Sequence, residues 1–122
     1  MNLSDLKSAV AGKFGELTDI APGVYSFKLY GVECRLFAIP PAGEVESVQF
    51  YVGFAGRFDI KAVNAWNQEY RFVKTYIPGQ EGLAVEMDVA VMGDAPSNAK
   101  ALDLAMDVWM VNFTKLFSHF GS

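Results

Sequence analysis

Apolar residues recur along the chain at two spacings, and each change of spacing marks a new predicted element. Near the start, steps of three and four residues separate Leu3, Leu6, Val10 and Phe14. This spacing predicts an amphipathic helix, for which Asn2 or Ser4 is the expected N-cap. A helix this short is marginal in isolation, so we expect it to lie on a larger layer.

Alternation of apolar and polar residues begins after Ala21-Pro22-Gly23 and predicts three strands of an antiparallel meander. The first hairpin is predicted to turn at Gly31-Val32. Its apolar face then pairs Leu29 with Cys34, Phe27 with Leu36, and Tyr25 with Ala38. On the opposite face the same register sets Lys28 against Arg35. The inward positions of the third strand are Val48, Phe50, Val52 and Phe54.

A second helix and a second hairpin are predicted between Asp59 and Gly93. Asp59 is the expected N-cap of the helix. The apolar stripe of that helix comprises Ile60, Val63, Trp66 or Asn67, and Tyr70. A loop centred on Gln80 then pairs Thr75 with Val85, Lys74 with Glu86, and Phe72 with Asp88. Opposite charges at Lys74 and Glu86 agree with this register.

The longest helix is predicted to follow the Gly93-Asp94-Ala95-Pro96 break, with Ser97 as its N-cap. One apolar stripe comprises Leu102, Met106, Trp109, Phe113, Leu116 and Phe120. A second, adjoining stripe contains Leu104, Val108 and Val111. Together the two stripes are wider than contact with one sheet requires. Either the N-terminal helix or a second subunit is therefore expected to cover the second stripe.

Length and composition predict one globular domain over residues 1–122, with 52% apolar and 20% charged residues. Ten basic residues against 14 acidic ones give a net charge of −4. Because no cationic cluster is present, we expect no nucleic-acid partner. We also expect no membrane partner, since no apolar run approaches the length of a spanning helix. The first residues lack the features of a signal peptide, which predicts a cytoplasmic protein.

The single cysteine and the single histidine have structural interpretations. Cys34 has no second cysteine with which to form a disulfide, and its position in a strand predicts a small buried hydrophobe. His119 lies near the end of the last predicted helix, where we expect neither an orienting partner nor a pocket. We therefore predict no catalytic residue and no cofactor.

Glu86 and Asp88 are the strongest candidates for chemistry. They lie two residues apart in a strand, so their carboxylates project from the same face. Paired carboxylates can act as acid and base or hold a hard cation. An outward strand face also carries charges for solubility alone, and Lys74 can neutralise Glu86. A small-molecule or metal site formed by Glu86, Asp88 and Asn67 is therefore the alternative interpretation.

Asn64 and Asn67 flank Trp66 in a predicted helix, where asparagine is unfavourable. Their amides either bond to nearby backbone or face a ligand, and the backbone interpretation is the stronger one. Trp66 is expected in the core. We expect the Arg71 side chain to reach a carboxylate such as Glu69 or Asp88.

These residues carry a family resemblance. Asn64-Ala65-Trp66-Asn67, then Arg71-Phe72 and Tyr76, then Gly82-Leu83 leading to Glu86 and Asp88 resemble the pattern of the YbjN family of bacterial sensory transduction regulators. The resemblance implies a fold similar to type III secretion chaperones, in the order α-β-β-β-α-β-β-α. It supplies no reaction. It marks Asn64, Trp66, Asn67, Arg71, Glu86 and Asp88 as motif residues with a structural role.

The residue pattern and the resemblance together predict an α+β fold, with helices packed on one antiparallel sheet of about five strands. They also predict a non-enzymatic regulatory or chaperone-like module that binds another protein, alone or as a homodimer. Apolar residues on the second face of the sheet are the predicted partner-binding surface. They are Phe37, Tyr51, Phe72 and Tyr76.

Overall fold

The computed structural model describes residues 1–121. The chain forms α1 (Leu3–Phe14), β1 (Thr18–Ala21), β2 (Val24–Leu29), β3 (Val32–Ile39), β4 (Ser47–Phe54), α2 (Ile60–Glu69), β5 (Lys74–Tyr76), β6 (Leu83–Ala90) and α3 (Ala95–Phe120). The α+β class and the order of the predicted elements are confirmed. β1 is an additional strand, and all four of its residues are exposed. It escaped prediction because it has no buried side to create alternation.

The six strands form one antiparallel sheet in the order β1-β2-β3-β4-β6-β5. All three helices pack on the same face of this sheet. From α1, the Phe14 ring stacks on Phe27 with centroids 4.8 Å apart. From α3, Trp109 packs against Phe50 at 5.9 Å. Because Phe27 and Phe50 belong to the alternating apolar set, the predicted inward face is the face that the helices cover.

The turn of the first hairpin is at Tyr30-Gly31, one residue before the predicted Gly31-Val32, and this shifts the strand pairing by two residues. Leu29 pairs with Val32, and Lys28 pairs with Glu33. Tyr30 and Gly31 have φ angles of 51° and 78°, and positive φ at both positions gives a turn whose twist matches that of the flanking strands. The predicted Lys28–Arg35 pairing is wrong, and the observed register replaces it with opposite charges. The inward face is unchanged because the shift is an even number of residues.

The second hairpin has the predicted register, with Lys74 opposite Glu86 and Thr75 opposite Val85. Its first strand is shorter than predicted because β5 begins at Lys74. The predicted pairing of Phe72 with Asp88 is therefore wrong.

Each helix begins at a side-chain cap. Asn2 caps α1 and Asp59 caps α2, as predicted. The cap of α3 is Asp94 and not the predicted Ser97. The Asp94 carboxylate accepts a hydrogen bond from the Ser97 backbone N–H at 2.8 Å, which lowers the pKa of Asp94. Over residues 1–121, no helix has the length and apolar character needed to cross a membrane.

The N-terminal helix does not cover the second stripe of α3. It packs beside that stripe, where Lys13 Nζ lies 2.7 Å from Oδ1 of both Asp103 and Asp107. Leu104 and Val111 remain 65% and 53% exposed. One of the two predicted covers for this stripe is therefore excluded.

Candidate functional site

The face of the sheet that the helices leave uncovered carries a mixed set of aromatic and charged side chains. Cross-strand pairing places Ser26, Arg35, Tyr51, Glu86 and Lys74 in one row across five strands. A neighbouring row holds Phe37, Gln49 and Asp88. We call this surface the open face and define it by these eight residues and Tyr76.

Glu86 is the most buried charged group of the open face, with only 9% of its surface exposed. The Tyr76 hydroxyl donates to Glu86 Oε2 at 2.6 Å, and Lys74 Nζ lies 3.2 Å from Oε1. The hydrogen bond to Glu86, with desolvation and the negative charge of Glu86, raises the pKa of Tyr76 to about 12. Tyr76 is consequently a protonated donor at neutral pH and is unsuited to act as a base.

Phe37 and Tyr51 form an edge-to-face pair next to this cluster, with ring centroids 6.1 Å apart. Both are half-buried, and Tyr76 is 38% exposed. The Tyr51 ring lies over Gly53, where a Cβ atom would come within 2.9 Å of the Tyr51 hydroxyl. Glycine therefore leaves room for the ring to lie along the sheet. Three of the four predicted partner-binding residues share the open face.

The remaining carboxylate of the pair, Asp88, accepts a hydrogen bond from Gln49 Nε2 at 3.2 Å. It is exposed, and within residues 1–121 it forms no ion pair. Glu86 and Asp88 thus differ in surroundings. Glu86 is neutralised within the chain, whereas Asp88 presents an unneutralised charge to solvent.

Phe72, the fourth predicted partner-binding residue, is not on the open face. It is the central residue of a γ-turn between α2 and β5, because the Val73 N–H donates to the Arg71 carbonyl at 3.0 Å and Phe72 has a φ of 77°. This conformation is rare and strained for a bulky residue. The Phe72 side chain is 76% exposed.

Trp66 holds this turn at both ends. Its carbonyl accepts from the Tyr70 N–H at 2.9 Å, and its indole Nε1 donates to the Val73 carbonyl at 2.8 Å. Trp66 is fully buried, as expected for a core residue. Because Tyr70 precedes the turn and Val73 is its last residue, these two bonds fix the backbone that presents Phe72.

Beside this turn lies a groove of about 360 Å³ between the turn and α3. We call it the Phe72 groove. Its floor and walls include Tyr70, Phe72, Val108 and Val111, and its charged rim consists of Glu69, Arg71, Asp107 and Lys115. Lys115 Nζ also lies 5.5 Å from the centre of the Tyr70 ring.

The two asparagines of the Asn-Ala-Trp-Asn sequence have different roles. Asn67 Nδ2 donates to the Thr75 carbonyl at 2.8 Å, and Asn67 Oδ1 accepts from the Thr75 N–H at 2.9 Å. Asn64 is exposed and forms no side-chain hydrogen bond within residues 1–121. The backbone interpretation therefore holds for Asn67.

The three residues of the alternative ligand site do not form a common site. Asn67 uses both ends of its amide on Thr75, whose side chain is on the helix-covered face and bonds to the Val63 carbonyl. Glu86 and Asp88 belong to the opposite face. In the described part of the chain, no group of three or more His, Cys, Asp and Glu side chains could hold a metal ion.

Other candidates lie away from the open face. Arg71 forms no ion pair within residues 1–121, so neither predicted carboxylate partner is found. His119 is half-buried. The expectation that it has no partner is wrong, because Nε2 lies 2.7 Å from the Ala62 carbonyl and the ring packs against Trp66. Cys34 is buried, and burial raises the pKa of its thiol to about 12.

Sequence reasoning missed Arg35 and Lys115 as members of these surfaces. Alternation along β3 places Arg35 on the same face as Phe37 in the predicted and in the observed register, so the signal was present and only the apolar residues of that face were taken as the surface. Lys115 had no comparable signal, because its neighbour Phe72 reaches α3 only through the γ-turn.

Comparison with known proteins gives one family. A family model described as "YbjN: Putative bacterial sensory transduction regulator" matches residues 24–122, from β2 through α3. No similar curated protein and no similar solved structure was found. The matched residues include the open face, the Trp66-held turn and the whole of α3. The chain belongs to the YbjN family.

Proposed function

We propose that this protein is a non-enzymatic regulatory module whose open face binds a segment of another polypeptide. The observation that carries the proposal is the combination of Phe37, Tyr51 and Tyr76 with charged neighbours on the uncovered side of the sheet. Aromatic side chains and arginine are enriched at protein interfaces, and Arg35 belongs to the same row. The family description as a sensory regulator agrees with such a role.

The internal contacts of the open face favour binding over catalysis. Glu86 is occupied by Tyr76 and Lys74, so its carboxylate already has a donor on each oxygen. The raised pKa of Tyr76 keeps its hydroxyl protonated. The bond to Glu86 holds the Tyr76 ring, and Phe37 and Tyr51 pack against each other. A rigid aromatic surface loses little conformational entropy when a partner binds.

The one charge of the open face without an opposite charge beside it within residues 1–121 is that of Asp88, and it indicates the chemistry of the partner. Lys74 neutralises Glu86, and Arg35 lies 3.6 Å from Glu33. Asp88 forms no ion pair within residues 1–121 and accepts a hydrogen bond from the Gln49 amide. We infer that the bound segment places apolar side chains against Tyr51 and Tyr76 and a basic side chain at Asp88. A cytoplasmic location is part of the same proposal.

Affinity capture from the native cell tests this function when it is paired with variants. The double variant Tyr51→Ala/Tyr76→Ala removes the two rings, and Asp88→Lys reverses the free charge. Tyr30→Ala is the matched control because Tyr30 is a 70% exposed tyrosine in a hairpin turn outside the open face. A specific partner must be lost with the first two variants and retained with the control. A partner that all variants retain does not use the open face.

A further inference from the structure

The second apolar stripe of α3, formed by Leu104, Val108 and Val111, has no cover within residues 1–121. Leu104 and Val111 are more than half exposed, and Val108 is half-buried. Val108 and Val111 also line the Phe72 groove, so the stripe continues into a second exposed apolar region. This continuous surface belongs to the helical layer and is separate from the open face.

Two opposite charges flank Val111 at equal distances along the helix. Asp107 lies four residues before it and Lys115 four residues after it, which is about 6 Å in each direction. Asp107 contacts Lys13 through Oδ1, and its second carboxylate oxygen forms no ion pair within residues 1–121. Lys115 forms no ion pair within residues 1–121. The two opposite charges are therefore placed symmetrically about Val111, the last residue of the stripe.

We propose that this surface docks a second copy of the same chain, with the two α3 helices antiparallel about a two-fold axis at Val111. In this register Asp107 faces Lys115 of the partner subunit, and the symmetry repeats the contact. A parallel arrangement would bring like charges together at both positions. The charge pattern thus selects a second copy in one orientation, which a generic apolar partner would not require.

Phe72 extends the contact beyond a single helix stripe. A standard interface buries about 800 Å² per partner, more than three aliphatic side chains supply. The exposed Phe72 ring stands next to Val108, Val111 and Lys115 in the same groove. Its strained backbone is held by Trp66 from both sides. Burial of this ring at the dimer interface offsets the cost of presenting it, as is usual for aromatic anchors.

Charge reversal in a mixture gives the decisive test. Sedimentation velocity of the full chain across a dilution series is expected to show a monomer–dimer equilibrium. Asp107→Lys alone and Lys115→Asp alone each place like charges at both symmetric contacts, and we expect about tenfold weaker dimerisation. Mixing the two variants restores opposite charges at both contacts, so a heterodimer of near wild-type affinity is expected.

Val111→Glu supplies a second variant, because it places two carboxylates together at the axis. Ile60→Glu is the matched control, since Ile60 is 55% exposed and lies outside the stripe. A monomer at every concentration, or a dimer that Val111→Glu leaves intact, overturns the proposal. Failure of the mixed variants to form a heterodimer overturns the antiparallel register. Tyr51→Ala/Tyr76→Ala is expected to leave the dimerisation affinity unchanged. The dimer and the open-face function can therefore fail independently of each other.

Discussion

The side-chain amide of Asn67 bonds to both backbone groups of Thr75, as the peptide group of a neighbouring strand would. Nδ2 donates to the Thr75 carbonyl, and Oδ1 accepts from its N–H. β5 is the outermost strand on this side of the sheet, and the opposite side of Thr75 faces Val85 of β6. Asn67 therefore closes the edge of the sheet at its shortest strand, where unpaired backbone invites other strands.

Removing this cap should destabilise the protein measurably. Asn67→Ala leaves the Thr75 N–H and carbonyl without protein partners, and we expect a loss of about 1 kcal/mol in the free energy of unfolding. The cost is at the low end because Asn67 is exposed, so water can take the place of its amide. Chemical denaturation gives the value. Asn64→Ala is the control on the same helix, and a gain of a few tenths of a kcal/mol is expected from alanine's helix propensity. Equal changes in unfolding free energy for Asn67→Ala and Asn64→Ala would show that the amide of Asn67 does not stabilise the sheet edge.

The positive φ of Phe72 predicts that replacing this aromatic residue with glycine stabilises the monomer. Phe72→Gly should raise the stability of the monomer by about 1 kcal/mol, because glycine adopts a φ of 77° without strain and little apolar burial is lost. Phe72→Ala keeps a Cβ atom and should show no such gain. Both variants are measured by denaturation at dilutions where the chain is monomeric. If Phe72→Gly lowers the stability of the monomer, the Phe72 ring contributes to folding and is not free for an interface.

The Tyr76–Glu86 hydrogen bond predicts a specific alkaline dependence. Tyrosine titrates near 10 when unperturbed, and the pKa of Tyr76 is raised to about 12 in the fold. A raised pKa for an acid means that the fold favours the protonated form. Its stabilising contribution is thus fully present below pH 10 and is lost as the pH rises towards 12. The difference in unfolding free energy between the wild type and Tyr76→Phe should shrink over this interval. A constant difference would contradict the role assigned to the hydroxyl.

Divalent cations should not stabilise the protein. Asp88 and Glu86 share a face, but Glu86 is already neutralised by Lys74, and Asn67 is on the other side of the sheet. A thermal-shift series with magnesium, calcium, manganese and zinc is expected to leave the melting temperature unchanged. A concentration-dependent rise that Glu86→Gln abolishes would restore the ligand-binding alternative.

Local side-chain patterns predicted most of the fold because each acts over a few residues. Alternation at Val48, Phe50 and Val52 was enough to identify the inward face of β4. Asp59 was enough to predict where α2 begins, because it is the N-cap of that helix. The β5–β6 register followed from the length of the loop around Gln80. The first hairpin failed because nothing local distinguishes Tyr30 at positive φ from the same residue in a strand. Asp94 was passed over because Ser97 is an equally good cap by residue type.

The two surfaces were harder to predict, since they depend on distant parts of the chain. Tyr51, Glu86 and Tyr76 come together because β6 inserts between β4 and β5, an arrangement that residue spacing does not encode. Phe72 was assigned to the sheet because a bulky aromatic residue before a strand normally continues it. The indole of Trp66 overrides that preference through its bond to Val73. A tertiary contact is therefore the reason why Phe72 lines the Phe72 groove and not the open face where it was predicted.

The most direct test of the account is the affinity of the captured polypeptide for the open face, measured with purified components by calorimetry. Replacing Tyr51 and Tyr76 with alanine should weaken binding about tenfold or more, because aromatic anchors dominate interface energies. Tyr30→Ala should bind as the wild type does. Equal affinity of the wild type and the double variant, with both proteins folded, would contradict the proposal that this face binds the partner.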